Sequence, residues 1–133
     1  RPARKTVANF IGETDFIPGK VLGAIGGQAT VETAIGRFEG VLGDTAAVPE
    51  AGAAVTLSIR PECWTLHREP AARNNVRGHI GEAVYLGEVA QYDFMVNHTR
   101  LKIFELNPRH LGRASRGEFY ASVEPEDVVV LVD

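Results

Sequence analysis

Ser58-Ile59-Arg60-Pro61-Glu62 decides the fold of this chain. The phrase closes an apolar alternation that begins at Val55, and Pro61 ends it, because proline has no backbone N–H to give to a sheet ladder. It returns 64 residues later as Ser122-Val123-Glu124-Pro125-Glu126, after Phe119 and Ala121 and before Val128, Val129, Val130 and Leu131. The openings correspond as well: Gly19-Lys20-Val21 answers Gly78-His79-Ile80. Two copies at this spacing are too few and too long for a solenoid. They read as two similar half-units of one small β domain, about residues 19–66 and 76–133.

The 133 residues fit one domain with a short appendage. With 44% hydrophobic and 23% charged residues, the composition supplies a real core. A net charge of −3 argues against a nucleic-acid binder driven by phosphate neutralisation. Tyr92 and Phe94 flank Asp93 rather than a base, which argues against a nucleic-acid stacking platform. The single cysteine, Cys63, excludes an intramolecular disulfide; beside Trp64 it reads as a small, half-buried apolar residue. No apolar run approaches the ~20 residues of a membrane-spanning helix, so direct membrane insertion is not expected. The chain opens on Arg1 with no charged-then-apolar leader, and reads as a piece of a longer protein or a processed one.

Residues 1–12 predict a short helix, with Val7, Phe10 and Ile11 at i, i+3 and i+4 and Gly12 as its stop. That stripe needs a partner, in a neighbouring domain or a second copy. Residues 15–19, with Pro18-Gly19, read as a turn-rich link. Strands are expected at 20–25 and 29–35 around the Gly26-Gly27 hairpin, near Phe38, and at 55–59. Residues 67–75, polar and containing Pro70, read as the link between half-units. The second half predicts strands at 76–86 and 88–96 about Gly87, with Tyr92, Phe94 and Val96 on one face. An alternation at Leu101, Ile103 and Glu105 follows, then strands at 119–123 and 128–132. Short strands punctuated every eight to twelve residues or so predict an all-β, OB-like small barrel or sandwich.

Catalytic motifs are missing. There is no Gly-rich phosphate loop, no Gly-x-Ser-x-Gly elbow, and no cysteine pair or His-x-x-x-His to hold a metal. His67, His79, His98 and His110 fall in or beside loops and strand starts and read as solvated. Gly26-Gly27-Gln28 echoes the end of the ATPase signature Leu-Ser-Gly-Gly-Gln, but that motif acts from a helix N-terminus, whereas this copy lies in a hairpin. Arg60, Glu62 and Glu126 remain as interface or ligand candidates. Arg60, held extended before proline, can fork to a carboxylate or carbonyl, as an internal clamp or as a contact to a partner.

Val7-Ala8-Asn9-Phe10-Ile11-Gly12-Glu13-Thr14-Asp15-Phe16, Gly19-Lys20-Val21 and Ser58-Ile59-Arg60-Pro61-Glu62 together resemble the C-terminal part of ATP-binding subunits of bacterial ABC importers. Asn75-Val76-Arg77-Gly78-His79-Ile80, Tyr85-Leu86-Gly87, Tyr92 and Pro125-Glu126-Asp127-Val128 extend the likeness to nearly the whole chain. The pattern is similar to the transport-associated OB-type (TOBE) domain, second variety, of polyamine, ferric-iron and related importers. The resemblance implies that residues 1–18 are the end of an ATPase-domain helix and a linker, and 19–133 a non-catalytic regulatory and dimerisation domain. It implies ATP and Mg only in the parent protein. The implied partners are its own ATPase domain, a second copy of the subunit and the importer's membrane subunits, at the inner face of the plasma membrane. A second resemblance links Ala72-Arg73-Asn74 to the Ser-Ala-Arg-Asn opening of molybdate-binding domains, which implies Arg73 and Asn74 as oxyanion contacts. Ala71 replaces the serine there, and Glu124 stands where that group tends to carry lysine, a charge that opposes an anion.

Overall fold

A computed structural model describes residues 13–43, 48–108 and 116–132. Ten strands follow one another: β1 Asp15–Ile25, β2 Gln28–Thr33, β3 Gly36–Leu42, β4 Ala54–Ile59, β5 Thr65–His67, β6 Asn75–Leu86, β7 Val89–Val96, β8 Thr99–Leu106, β9 Glu118–Ser122 and β10 Val128–Val132. Short 3-10 turns at Pro61–Cys63 and Pro125–Asp127 carry the two proline phrases. The helix expected over 1–12, with Val7, Phe10 and Ile11, lies outside the described residues, and among the described residues there is no α-helix.

The strands form two sheets. A closed five-stranded barrel has the order β1-β2-β3-β10-β4, and a five-stranded open sheet the order β5-β9-β6-β7-β8. All pairings are antiparallel except β3 with β10. The last strand of each half of the sequence joins the sheet of the other half: β5 pairs with β9, and β10 with β4. The registers correspond position by position. Thr65 faces Ser122, and 64 residues on, Val129 faces Ser58; Leu66 faces Ala121, and Val130 faces Leu57. Gly19 opposite Val55 likewise matches Gly78 opposite Phe119.

Alternation explains the burial. Ala90, Tyr92, Phe94 and Val96 of β7 point inward beside Leu101 and Ile103 of β8, all nearly inaccessible. Val31, Phe38, Leu57, Ile59 and Val130 fill the barrel and belong to one continuous cluster with the sheet's interior. A fully buried side chain of this size contributes roughly 1.5–3 kcal/mol. The edge-to-face contact of Phe38 and Trp64, centroids 6.3 Å apart, joins the barrel core to the turn leaving it.

Three expectations need correction. Residues 15–18 are strand, not link: Pro18 pairs with Thr56 of β4, and it lies just outside the β2 ladder, which begins at Gly19 opposite Thr33. A missing N–H is tolerated there. The link expected over 67–75 begins only after His67, which closes β5, a strand too short to show an alternation of its own. His67 is half-buried, with Nε2 2.9 Å from Ser122 Oγ, rather than solvated.

Gly19 and Gly78 occupy the same tight place in the two halves. A Cβ on Gly19 would fall 2.6 Å from Val31 Cγ1 and 2.7 Å from the Glu32 carbonyl; on Gly78, 2.9 Å from Phe94 Cε2 and nearer still to the Met95 carbonyl. Strand backbone, together with the packed side chains of Val31 and Phe94, bars the way. Gly78→Ala is therefore expected to destabilise the chain by about 2–3 kcal/mol through overpacking. Chemical denaturation measures this, and a change below about 0.5 kcal/mol would contradict the close approach.

Candidate functional site

Each half begins its first strand with a buried polar side chain. Asp15 opens β1 and Asn74 immediately precedes β6; they are 7% and 6% exposed. Both stand four residues before the tightly packed glycine, Gly19 or Gly78. Each reaches across to the third strand of the other half. Asn74 donates Nδ2–H to the Glu39 carbonyl and accepts the Glu39 N–H on Oδ1, both at 2.8 Å. An amide can serve both backbone groups like a neighbouring strand, and its φ of 46° suits asparagine better than most residues.

Asp15 can only accept. Oδ1 takes the Lys102 N–H at 2.8 Å, and Oδ2 takes the indole N–H of Trp64 at 2.9 Å. Trp64 follows the first proline turn, 64 residues before Val128, which has no polar group to offer. The carboxylate thus ties three segments together: the start of β1, the turn before β5, and β8. Burial pushes its pKa up from 3.8 to about 6. The hydrogen bonds from Lys102 and Trp64 and the Lys102 charge act the other way, and Glu13 adds to the rise.

The proline turns present their charges outward. Arg60 and Glu62 lie 4.0 Å apart with side chains 59% and 54% exposed, and Glu126 is exposed at the matching place in the second turn. Of the two readings open for Arg60, internal clamp or partner contact, the structure shows a loose, exposed pair with Glu62 of its own turn. Arg73 is exposed while Asn74 is buried, so the two do not converge on a common ligand. Among the described residues no His, Cys, Asp and Glu cluster could hold a metal ion. Cys63 is a half-buried free thiol whose pKa burial raises, as expected of a packing residue.

Other polar groups stitch strands. Tyr92 O–H donates to Glu105 at 2.7 Å, and burial, then this bond, raises the phenol's pKa. Arg77 forks onto Glu118 Oε2 at 2.8 and 2.9 Å across β6 and β9. Arg100 and Lys102 flank Asp93 at 3.7 and 3.4 Å across β7 and β8. Gly26 and Gly27, with φ of 58° and 82°, make the hairpin turn expected of them. Asp15 and Trp64 were not singled out by the sequence reading. Carrying the match of Gly19 with Gly78 four positions back would have paired Asp15 with Asn74.

The family model of the TOBE domain matches residues 57–131, more than half of the chain. The spermidine/putrescine import ATP-binding protein PotA of Rubrobacter xylanophilus is 36% identical over 91 residues, 68% of this chain and 24% of that protein. The Fe(3+) ions import ATP-binding protein FbpC of Brucella abortus is 31% identical over 107 residues, 78% of this chain and 28% of that protein. The chain thus spans about a quarter of the length of these curated relatives. Among solved structures, the cytoplasmic molybdate-binding protein ModG, with molybdate bound, superposes with a TM-score of 0.73 at 15% identity, covering 90% of this chain and 96% of that one. At that identity the likeness is one of fold, and it agrees with the OB-like architecture.

Two measurements test the site. Folded Asp15 holds its proton where the unfolded chain has released it. Its contribution to stability is full below about pH 4 and is lost as pH rises through about 6. Unfolding free energies are expected to fall by up to roughly 3 kcal/mol across that window from this residue, and Asp15→Asn to remove that component. A pH profile unchanged by the substitution would count against the assignment. For Arg60, an exposed pair at this distance contributes little. Arg60→Ala is expected to change stability by less than about 0.5 kcal/mol, and a melting curve showing a much larger loss would restore the clamp.

Proposed function

Because the chain belongs to the TOBE domain family, we propose that it is the non-catalytic regulatory and dimerisation module of the ATP-binding subunit of an ABC importer. The observation that carries the reading is the TOBE match over residues 57–131 together with importer ATP-binding proteins at 31–36% identity. Nucleotide and Mg belong to an ATPase domain elsewhere in the parent protein, which couples to membrane subunits at the inner face of the plasma membrane. The solute is a polyamine or ferric iron, the two cargoes printed in the relatives' names. No helix among the described residues is long and apolar enough to cross a membrane.

In this role the chain works by surface and shape. Arg60, Glu62 and Glu126 stand exposed on matching turns, where they meet neighbouring parts of the importer. A second reading, an oxyanion sensor of the molybdate-binding type, is favoured by the superposition on ModG. It is weakened here by Asn74, whose amide is committed to Glu39, and by the exposed carboxylate of Glu124.

A chimera separates the readings. This chain is put in place of the matching segment of the Rubrobacter xylanophilus polyamine import ATP-binding protein. ATP-driven spermidine uptake is expected to persist, while the isolated 133-residue chain shows no ATP hydrolysis above background and no calorimetric response to molybdate. Loss of uptake by a folded, ATP-hydrolysing chimera would refute the importer role, and saturable molybdate binding would move the assignment to the sensor.

A further inference from the structure

We propose that an apolar patch on the outer face of the open sheet, at the shared end of β6, β7 and β8, is the docking site of the chain's own residues 1–12. Such a contact stands whether or not the chain serves an importer; within one, it fixes the end of the preceding domain against the open sheet.

The patch follows from the registers. Gln91 stands between Val84 and Phe104, and Val89 between Leu86 and Leu106. Tyr92 and Phe94 point inward, so by alternation these residues share the outer face. Val84, Leu86 and Leu106 are 52%, 55% and 70% exposed, and Val89 and Phe104 are half-buried. Single apolar residues are ordinary on a surface, whereas a contiguous apolar patch marks a contact.

The two halves differ at one seam, which leaves the end of β8 open. In the barrel β10 lies parallel to β3, Val129 opposite Val41 and Val130 opposite Leu42. The corresponding strands of the other half, β5 and β8, are not paired with each other; they form the two edges of the open sheet. A Cβ on Gly40 would lie 2.7 Å from the Val128 carbonyl, so glycine lets β10 settle against β3. At those two places the other half carries Ile103 and Trp64, both buried. Among the described residues no strand pairs with β8 on the side away from β7.

The place where residues 1–12 end selects them as the occupant. The described chain begins at Glu13, and Asp15 is fastened to β8 through the Lys102 N–H at 2.8 Å. Leu106 stands four residues further along β8, about 14 Å away. Ile11 stands four residues before Asp15, a stretch that extends to about 14 Å, so it reaches Leu106. Val7, Phe10 and Ile11 make one apolar stripe at helical spacing. A helix of 12 residues is about 18 Å long, enough to cross three strands, which span about 10 Å. So short a helix is marginal alone, and the patch supplies the partner that its stripe needs. The short tether also gives the segment an effective concentration on the order of millimolar.

Charge agrees with this occupant. Residues 1–12 carry Arg1, Arg4 and Lys5 and no acidic residue. Glu88 is exposed in the turn between Leu86 and Val89, and Glu82, also exposed, borders a cleft with Asp93 and Met95 on the same face. Among the described residues neither Glu82 nor Glu88 has a cationic partner.

Cross-linking and surface labelling test the contact. The 133-residue chain with Cys63→Ser carries one added pair of cysteines: Ile11→Cys with Leu106→Cys, or Asn9→Cys, on the far side of the stripe, with Leu106→Cys. Mild oxidation is expected to join the first pair within one chain at least tenfold faster than the second, and Glu88→Lys to slow the first at least threefold. In the chain that keeps Cys63, Phe10→Asp is expected to raise hydroxyl-radical labelling of Leu86 and Leu106 at least threefold, with Trp64 emission unchanged as the sign of an intact fold. Equal rates for the two pairs, no effect of Glu88→Lys, or labelling unchanged by Phe10→Asp overturns the proposal. So do disulfides that form between chains together with a dimer in sedimentation, which would assign the patch to a second copy. The labelling needs no added cysteine and stands even if Cys63→Ser misfolds.

Discussion

The structure depends on two buried hydrogen-bonded side chains, Asp15 and Asn74, each reaching from the start of one half to the third strand of the other. A strand that begins beside a foreign sheet leaves backbone groups without a partner, and buried unpaired groups are costly. The amide of Asn74 answers an N–H and a carbonyl at once. The carboxylate of Asp15 answers one N–H and has an acceptor left over, which Trp64 fills. One atom's difference between two otherwise matched positions thus brings in the only tryptophan, and with it the difference between the two seams.

Exchange of the last strands makes the halves inseparable. β10 completes the barrel opened by residues 15–59, and β5 pairs with β9 more than fifty residues away. Neither sheet is complete without residues from the other half, and the core is continuous between them. Much of the pairing is distant in sequence, the property that slows folding in all-β domains. The proline turns sit where the chain crosses from one sheet to the other: each follows a strand of one sheet and leads into a strand of its neighbour. Proline stops the first strand, and the 3-10 turn redirects the chain without extending the ladder.

Much of this was legible in the residues. The 64-residue offset of the Pro-Glu phrases reappears as a shared register, because pairing in a sheet with one buried face is fixed by alternation, and alternation is visible in sequence. Tyr92, Phe94 and Val96 showed it plainly. The exchange was not legible: a repeat states that two segments are alike, not which sheet each joins. β1 was begun too late because Pro18-Gly19 carries a turn's local signature; the ladder's end at Gly19 overrides it. At the site, Arg60 attracted notice as a charge beside a proline, yet the tertiary bonds fell to Asp15 and Trp64, whose local sequence advertises nothing. Only their matched positions relative to Gly19 and Gly78 held the clue.

The asymmetry bears on how such a module works. The closed barrel has every edge paired, which favours a rigid body. Among the described residues the open sheet keeps two edges, β5 and β8, and an exposed edge invites aggregation unless it is managed. Here management is partial. Arg100 and Lys102, bound to Asp93, place charge along the first part of β8, while Phe104 and Leu106 leave its end apolar. Asp15 also occupies the edge in the first stretch, through the Lys102 N–H, and Glu105, bound by Tyr92, is the charge of the last one. Ile103 and Trp64, both bulky and buried, keep the second seam from repeating the close approach that Gly40 allows in the first.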